Sequence, residues 1–115
     1  MSFTRTNLIH RALRNLGVLP MGQSPNAEEY QSVSDLVDAL IASLSAREVV
    51  HITDVDTLDD AYLIPLGHCL AWAAASEFGA GADQALAALS QQGEMHLKKM
   101  EADKYTRSIL ESDYF

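Results

Sequence analysis

The chain has 115 residues, and its eight Lys and Arg stand against sixteen Asp and Glu for a net charge of −8. That length sets one domain, or one domain with a tail, which buries only about two-thirds of the surface its unfolded form exposes. Association with other chains would therefore add a useful share of stability. The acidic balance argues against free nucleic acid as the main ligand, because phosphate binding draws its affinity from Lys and Arg.

Apolar residues make up 48% and aromatics 7%, and the excess of Ala and Leu favours helix over strand. The one β-leaning run, Val49-Val50-His51-Ile52-Thr53, is too short to build a sheet. Residues 1–27 carry Arg5, Arg11 and Arg14 and no acid. Residues 48–83 carry Glu48, Asp54, Asp56, Asp59, Asp60, Glu77 and Asp83 and no Lys or Arg. This separation predicts one basic and one acidic face, which copies in a ring or stack could pair or turn toward a channel. A lone Cys69 excludes an internal disulfide and fits a reducing compartment. The opening residues lack the continuous apolar stretch of a secretory signal, and no segment approaches the roughly 20 apolar residues of a membrane span. A soluble, cytosolic chain is expected.

Thr4 or Thr6 can cap a first helix, in which Leu8, Ile9, Ala12, Leu13 and Leu16 form one apolar stripe. Gly17 sits where a left-handed residue ends a helix, and Pro20 prevents its resumption. Ser24-Pro25 reads as an N-cap and first helical position, with Glu28 and Glu29 favouring the helix dipole. Tyr30, Val33, Val37, Leu40, Ile41 and Leu44 then carry a second helix to about Ala46. Residues 47–60 form a connection. A third helix is expected from near Pro65 to Phe78, apolar almost all round and hence central, and Gly79-Ala80-Gly81 stops it. Asp83 can cap a fourth helix, with Leu86, Leu89, Gly93, Leu97 and Met100 on one stripe, reaching about Tyr105. The expected fold is all-α, a small bundle of about four helices over residues 1–105, followed by an extended C-terminal tail over 106–115.

The polar clusters hold little chemistry. Asp54, Asp56, Asp59 and Asp60 begin like a calcium loop, but Leu58 occupies a ligand position and the required Gly and closing Glu are missing. They fit a helix-capping turn better. His68 and Cys69 are adjacent, so on a helix they point about 100° apart and cannot act as base and nucleophile on each other. Cys69 and Trp72 read as core residues. No catalytic residue, metal site or cofactor is expected, and the chain reads as no enzyme. Arg5, Arg11 and Arg14 leave open a small helical DNA-binding or regulatory module, although Arg11 and Arg14 share a face with no second basic helix behind them. The tail ends in Ile109, Leu110, Tyr114 and Phe115, for which the bundle has no place. It either docks on a partner or is disordered.

The run Thr4-Arg5-Thr6-Asn7-Leu8-Ile9-His10-Arg11-Ala12-Leu13-Arg14-Asn15-Leu16-Gly17-Val18-Leu19 resembles the opening of the small head–tail connector proteins of tailed bacteriophages, especially the tail accessory factor (head-completion, or adaptor) group. Gly22-Gln23-Ser24-Pro25-Asn26-Ala27-Glu28-Glu29, the leucines of the second helix and the alanine-rich stretch ending in Phe78-Gly79 continue it. Leu44 stands where members often carry a Trp. The resemblance covers residues 4–79, in patterns of helix and cap. It implies a structural virion subunit, a homo-oligomeric and typically dodecameric ring beneath the portal protein. Such a ring extends the DNA channel, retains packaged DNA in passing contact, and gives a downstream tail or nozzle protein its platform. The subunit would be made in the host cytoplasm and end at the head–tail junction, with no membrane contact. Ile109, Leu110, Tyr114 and Phe115 would then hold the portal, and Arg5, Arg11, Arg14, Asp54, Asp56, Asp59 and Asp60 would be subunit-interface or channel charges.

Overall fold

The computed structural model describes residues 2–19, 22–79, 81 and 83–113, with side chains at all of these except 57 and 105–113. Four α-helices carry the described fold: α1 (Arg5–Asn15), α2 (Ala27–Ala46), α3 (Leu63–Ala74) and α4 (Gln84–Asp113). Short 3-10 turns at Val55–Thr57 and Asp60–Tyr62 lead into α3, and another at Ala75–Phe78 prolongs it. The all-α bundle expected from composition is present. Among the described residues the only β pairing is an isolated bridge between Ser2 and Asp59.

Local chemistry sets the ends. Thr4 caps α1 by accepting from the Asn7 backbone N–H, and the Asn7 side chain accepts from the Thr4 N–H in return. This reciprocal box satisfies two donors that the first turn would otherwise leave unpaired. Gly17 follows at φ 77°, and the Val18 N–H reaches back to the Leu13 carbonyl at 3.1 Å, which is the glycine stop expected. The cap of α2 differs from expectation. Asn26, two residues beyond Ser24, pairs reciprocally with Glu29, because Asn-x-x-Glu closes both donors where Ser24 would serve one. Helix α2 ends at Ala46 with the same reach-back, Val49 N–H to Leu44 carbonyl at 2.9 Å. Here Glu48, at φ 58°, occupies the left-handed position that glycine usually takes.

Helix α3 is the central element, with α1, α2 and α4 all packed on it. Pro65, Leu66, Gly67, Cys69, Leu70, Ala71 and Ala74 are buried along it, as its nearly uniform apolar sequence requires. Leu8, Ile9, Ala12 and Leu13 of α1, Val33, Val37 and Leu44 of α2, and Leu86 and Leu97 of α4 complete the core. Two expectations shift. Leu89 is 38% exposed, while Ser90 is buried beside Leu86, Gly93 and Leu97. Trp72 is only half-buried, at the margin of the core cluster.

The glycine explains the rotation of α4. A Cβ on Gly93 would stand 2.7 Å from the Pro65 carbonyl oxygen and 3.4 Å from Cys69 Sγ. The two helices therefore meet backbone to backbone, and small Ser90 faces α3 where Leu would hold them apart. The buried Cys69 thiol donates to the Ser90 carbonyl at 3.6 Å.

Helix α4 also runs farther than expected. Its backbone is helical through Asp113, across the boundary expected near Tyr105. The last fully buried residue described on it is Leu97. Thirty residues span about 45 Å at 1.5 Å per residue, and the molecule measures 52 × 27 × 22 Å.

Two substitutions test this packing. Gly93→Ala gains about 1 kcal/mol of helix propensity, but the clash with the Pro65 backbone outweighs it. Urea denaturation is expected to show a net loss of about 1 kcal/mol, more for Gly93→Val. Glu48→Gly relieves the left-handed strain and is expected to raise stability by about 0.5–1 kcal/mol in the same assay.

Candidate interaction surface

The N-terminal arginines do not form a separate basic face. Arg5 is consumed inside the chain, its guanidinium meeting the Asp38 carboxylate at 3.0 Å and the Ser34 carbonyl at 2.7 Å. Its backbone N–H, the first of α1, donates to Asp56 Oδ1 at 2.7 Å. A carboxylate at that point favours the helix dipole. Arg5 and Asp56 thus tie α1 to α2 and to the aspartate turn, which corrects the expectation of two segregated charged faces. Sequence separation hid this, since Arg5 and Asp38 lie 33 positions apart.

The other aspartates divide by role. Asp54 accepts from the Asp56 N–H and Asp59 from the Ala61 N–H, each capping a 3-10 turn, as a helix-capping turn should. Asp60 is exposed and lines a groove of about 570 Å³ with Ser2, Phe3, Asn7, His10, Arg11, Arg14 and Leu63. The structure therefore brings Arg11, Arg14 and Asp60 together and places Arg5, Asp54, Asp56 and Asp59 in structural bonds. The side chains of Ile109 and Leu110, and residues 114 and 115 altogether, lie outside the described residues.

Helix α1 approaches α3 across Gly67. A Cβ there would meet Arg11 Cγ at 2.7 Å, so the arginine stem occupies the space the missing side chain leaves. Arg11 Nε is buried with no hydrogen-bond partner. His68, the next residue on α3, has its pKa lowered first by burial and second by the positive charge of Arg11.

A second clasp escaped sequence reasoning. Arg47, at the end of α2, meets Glu94 of α4 with two parallel hydrogen bonds of 2.9 and 3.1 Å. The fork geometry suits arginine and carboxylate, and the Glu94 hydrogen bond raises the pKa of Arg47. Beside it a smaller groove of about 290 Å³ runs along Leu36, Leu40, Trp72 and Ser90. Two apolar side chains stand out on the α3–α4 surface, Ile64 at 62% exposed and Met95 at 72%.

The Cys69 thiol is buried and its pKa is pushed up to about 11, mainly by desolvation. Among the described residues no group of three or more His, Cys, Asp or Glu could hold a metal ion, and no helix is long and apolar enough to cross a membrane. No family model, curated protein or solved structure matches the chain.

The raised thiol pKa has a definite sign. The folded state keeps the Cys69 proton that the unfolded chain releases near pH 8.5–9, so this contribution to stability is complete below that range and is lost as pH rises toward 11. Cys69→Ala is expected to flatten the fall in stability between pH 9 and 11, measured by urea denaturation. In the parent protein at pH 8, alkylation of Cys69 by iodoacetamide is expected to be slower than that of free cysteine.

Proposed function

We propose that the chain is a structural subunit of a bacteriophage head–tail connector, an adaptor that joins copies of itself in a ring under the portal protein. In this reading the ring extends the DNA channel, helps retain the packaged genome and gives the tail its platform. Synthesis takes place in the host cytoplasm and the mature location is the head–tail junction of the virion. The observation that carries the reading is the length of α4 against the size of its bundle. Helix α3 and its 3-10 extension span 16 residues, Leu63–Phe78, whereas α4 has 30. Past Leu97 no described α4 side chain is fully buried. In this reading the C-terminal part of α4 is the arm that another chain covers, and its sequence includes Ile109 and Leu110.

The resemblance of residues 4–79 to connector proteins supports the same reading. The duplex-binding alternative loses support, because Arg5 is held by Asp38 and Asp60 stands beside Arg11 and Arg14.

Native mass spectrometry of the full chain with its cognate portal protein tests the proposal. A ring of bound copies on the portal is expected, and deletion of residues 109–115 is expected to abolish binding while leaving the thermal unfolding of the bundle intact. A chain that stays monomeric with the portal present overturns the connector reading. A truncated chain that still binds overturns the role of the arm.

A further inference from the structure

Four arginines precede residue 48, and they fall into two kinds. Arg5 and Arg47 are each engaged with a carboxylate of the same chain. Arg11 and Arg14 are not: among the described residues neither has an ion-pair partner. They stand three positions apart on α1, so they are neighbours on one helix face, and both line the groove over Phe3 and Leu63. In a chain with twice as many acids as bases, two adjacent cations without an internal partner call for an external one.

The groove holds one of these cations in place beforehand. The Arg11 stem lies in the gap above Gly67 and its Nε is buried without a partner. The side chain has therefore already lost much of the rotamer freedom that an arginine gives up on binding. Arg14 is exposed and free to complete a pair of contacts. Phe3 is 3% exposed and Leu63 half-buried, so the same groove has an apolar floor.

We infer that this groove is a docking site for an acidic polypeptide segment of another protein chain, with one carboxylate on Arg11, one on Arg14, and an apolar side chain between them against the floor. Carboxylate is favoured over nucleic-acid phosphate by the surroundings. Duplex binding needs a track of several cations along the backbone, whereas the described lining of this groove has two arginines and the exposed Asp60. A short segment can place two carboxylates and avoid Asp60; a continuous phosphate strand cannot. The site does not depend on the connector reading and stands or falls separately from it.

The test is nitrogen-15 NMR of the full chain, following the arginine Nε–Hε signals during titration with the peptide Glu-Glu-Phe-Glu-Glu and, separately, with a 12-base-pair DNA duplex. The peptide is expected to shift Arg11 and Arg14 saturably and leave Arg47 in place. Arg14→Gln, an exposed change that leaves the thermal midpoint unaltered, is expected to weaken peptide binding about tenfold, equivalent to about 1.4 kcal/mol. The inference is overturned if the peptide moves neither signal, if Arg14→Gln binds it equally well, or if the duplex binds more tightly than the peptide.

Discussion

Helix α3 buries most of its surface, and that constraint organises the molecule. Seven of its twelve residues are buried, so three other helices must reach it, and two of them reach it through glycine. At Gly93 the backbone of α4 comes against the Pro65 carbonyl, and at Gly67 the stem of Arg11 lies over the backbone of α3. Close approach increases the number of dispersion contacts each core atom makes. It also leaves little tolerance, since the nearest atom an added methyl at Gly93 would meet is the Pro65 backbone carbonyl oxygen. The polar clasps lie outside this apolar centre. Arg5–Asp38 and Arg47–Glu94 have partly exposed members, and pairs of that kind contribute about 0–1 kcal/mol each. They fix the register of helices whose association is driven by burial.

The same constraint explains which parts of the fold were legible beforehand. The apolar stripe of α1, its Gly17 stop, the end of α2 at Ala46 and the central place of α3 follow from short-range periodicity and end chemistry, which the sequence carries locally. The start of α2 was legible too, but Ser24-Pro25 competes with Asn26-x-x-Glu29 and the reciprocal pair wins because it satisfies two donors. The burial of Ser90 in preference to Leu89 was not legible. A hydrophobicity pattern places Leu inward, whereas the packing distance at Gly93 selects the smaller residue. Nor could a count of charges reveal that Arg5 turns to Asp38, because the partner is chosen by the crossing of α1 and α2.

Charge patterning along the chain therefore misled in one respect and informed in another. It predicted a basic end and an acidic middle on different faces, yet folding brings them together: Asp56 receives the first N–H of α1, Asp59 pairs with Ser2, and Asp60 lines a groove with Arg11 and Arg14. Most of the aspartate cluster is used in capping, and most of its apparent chemistry with it. Among the described residues Arg11 and Arg14, on one face of α1, are left without an ion-pair partner.

That remainder separates two ways in which an acidic protein can meet its partners. Long-range attraction depends on the sum of charges, and at −8 the sum repels a polyanion at distances within the Debye length of about 8–10 Å. Short-range recognition depends instead on the few groups that lose water at contact, and here those are Arg11, Arg14 and the apolar floor beneath them. A short acidic segment brings only a few charges to a net-negative surface and can then pair locally with the two arginines. A duplex carries one phosphate charge per roughly 1.7 Å of axis along its whole length. The acidity of the chain and the two arginines without an ion pair among the described residues are both consistent with the polypeptide partner inferred above.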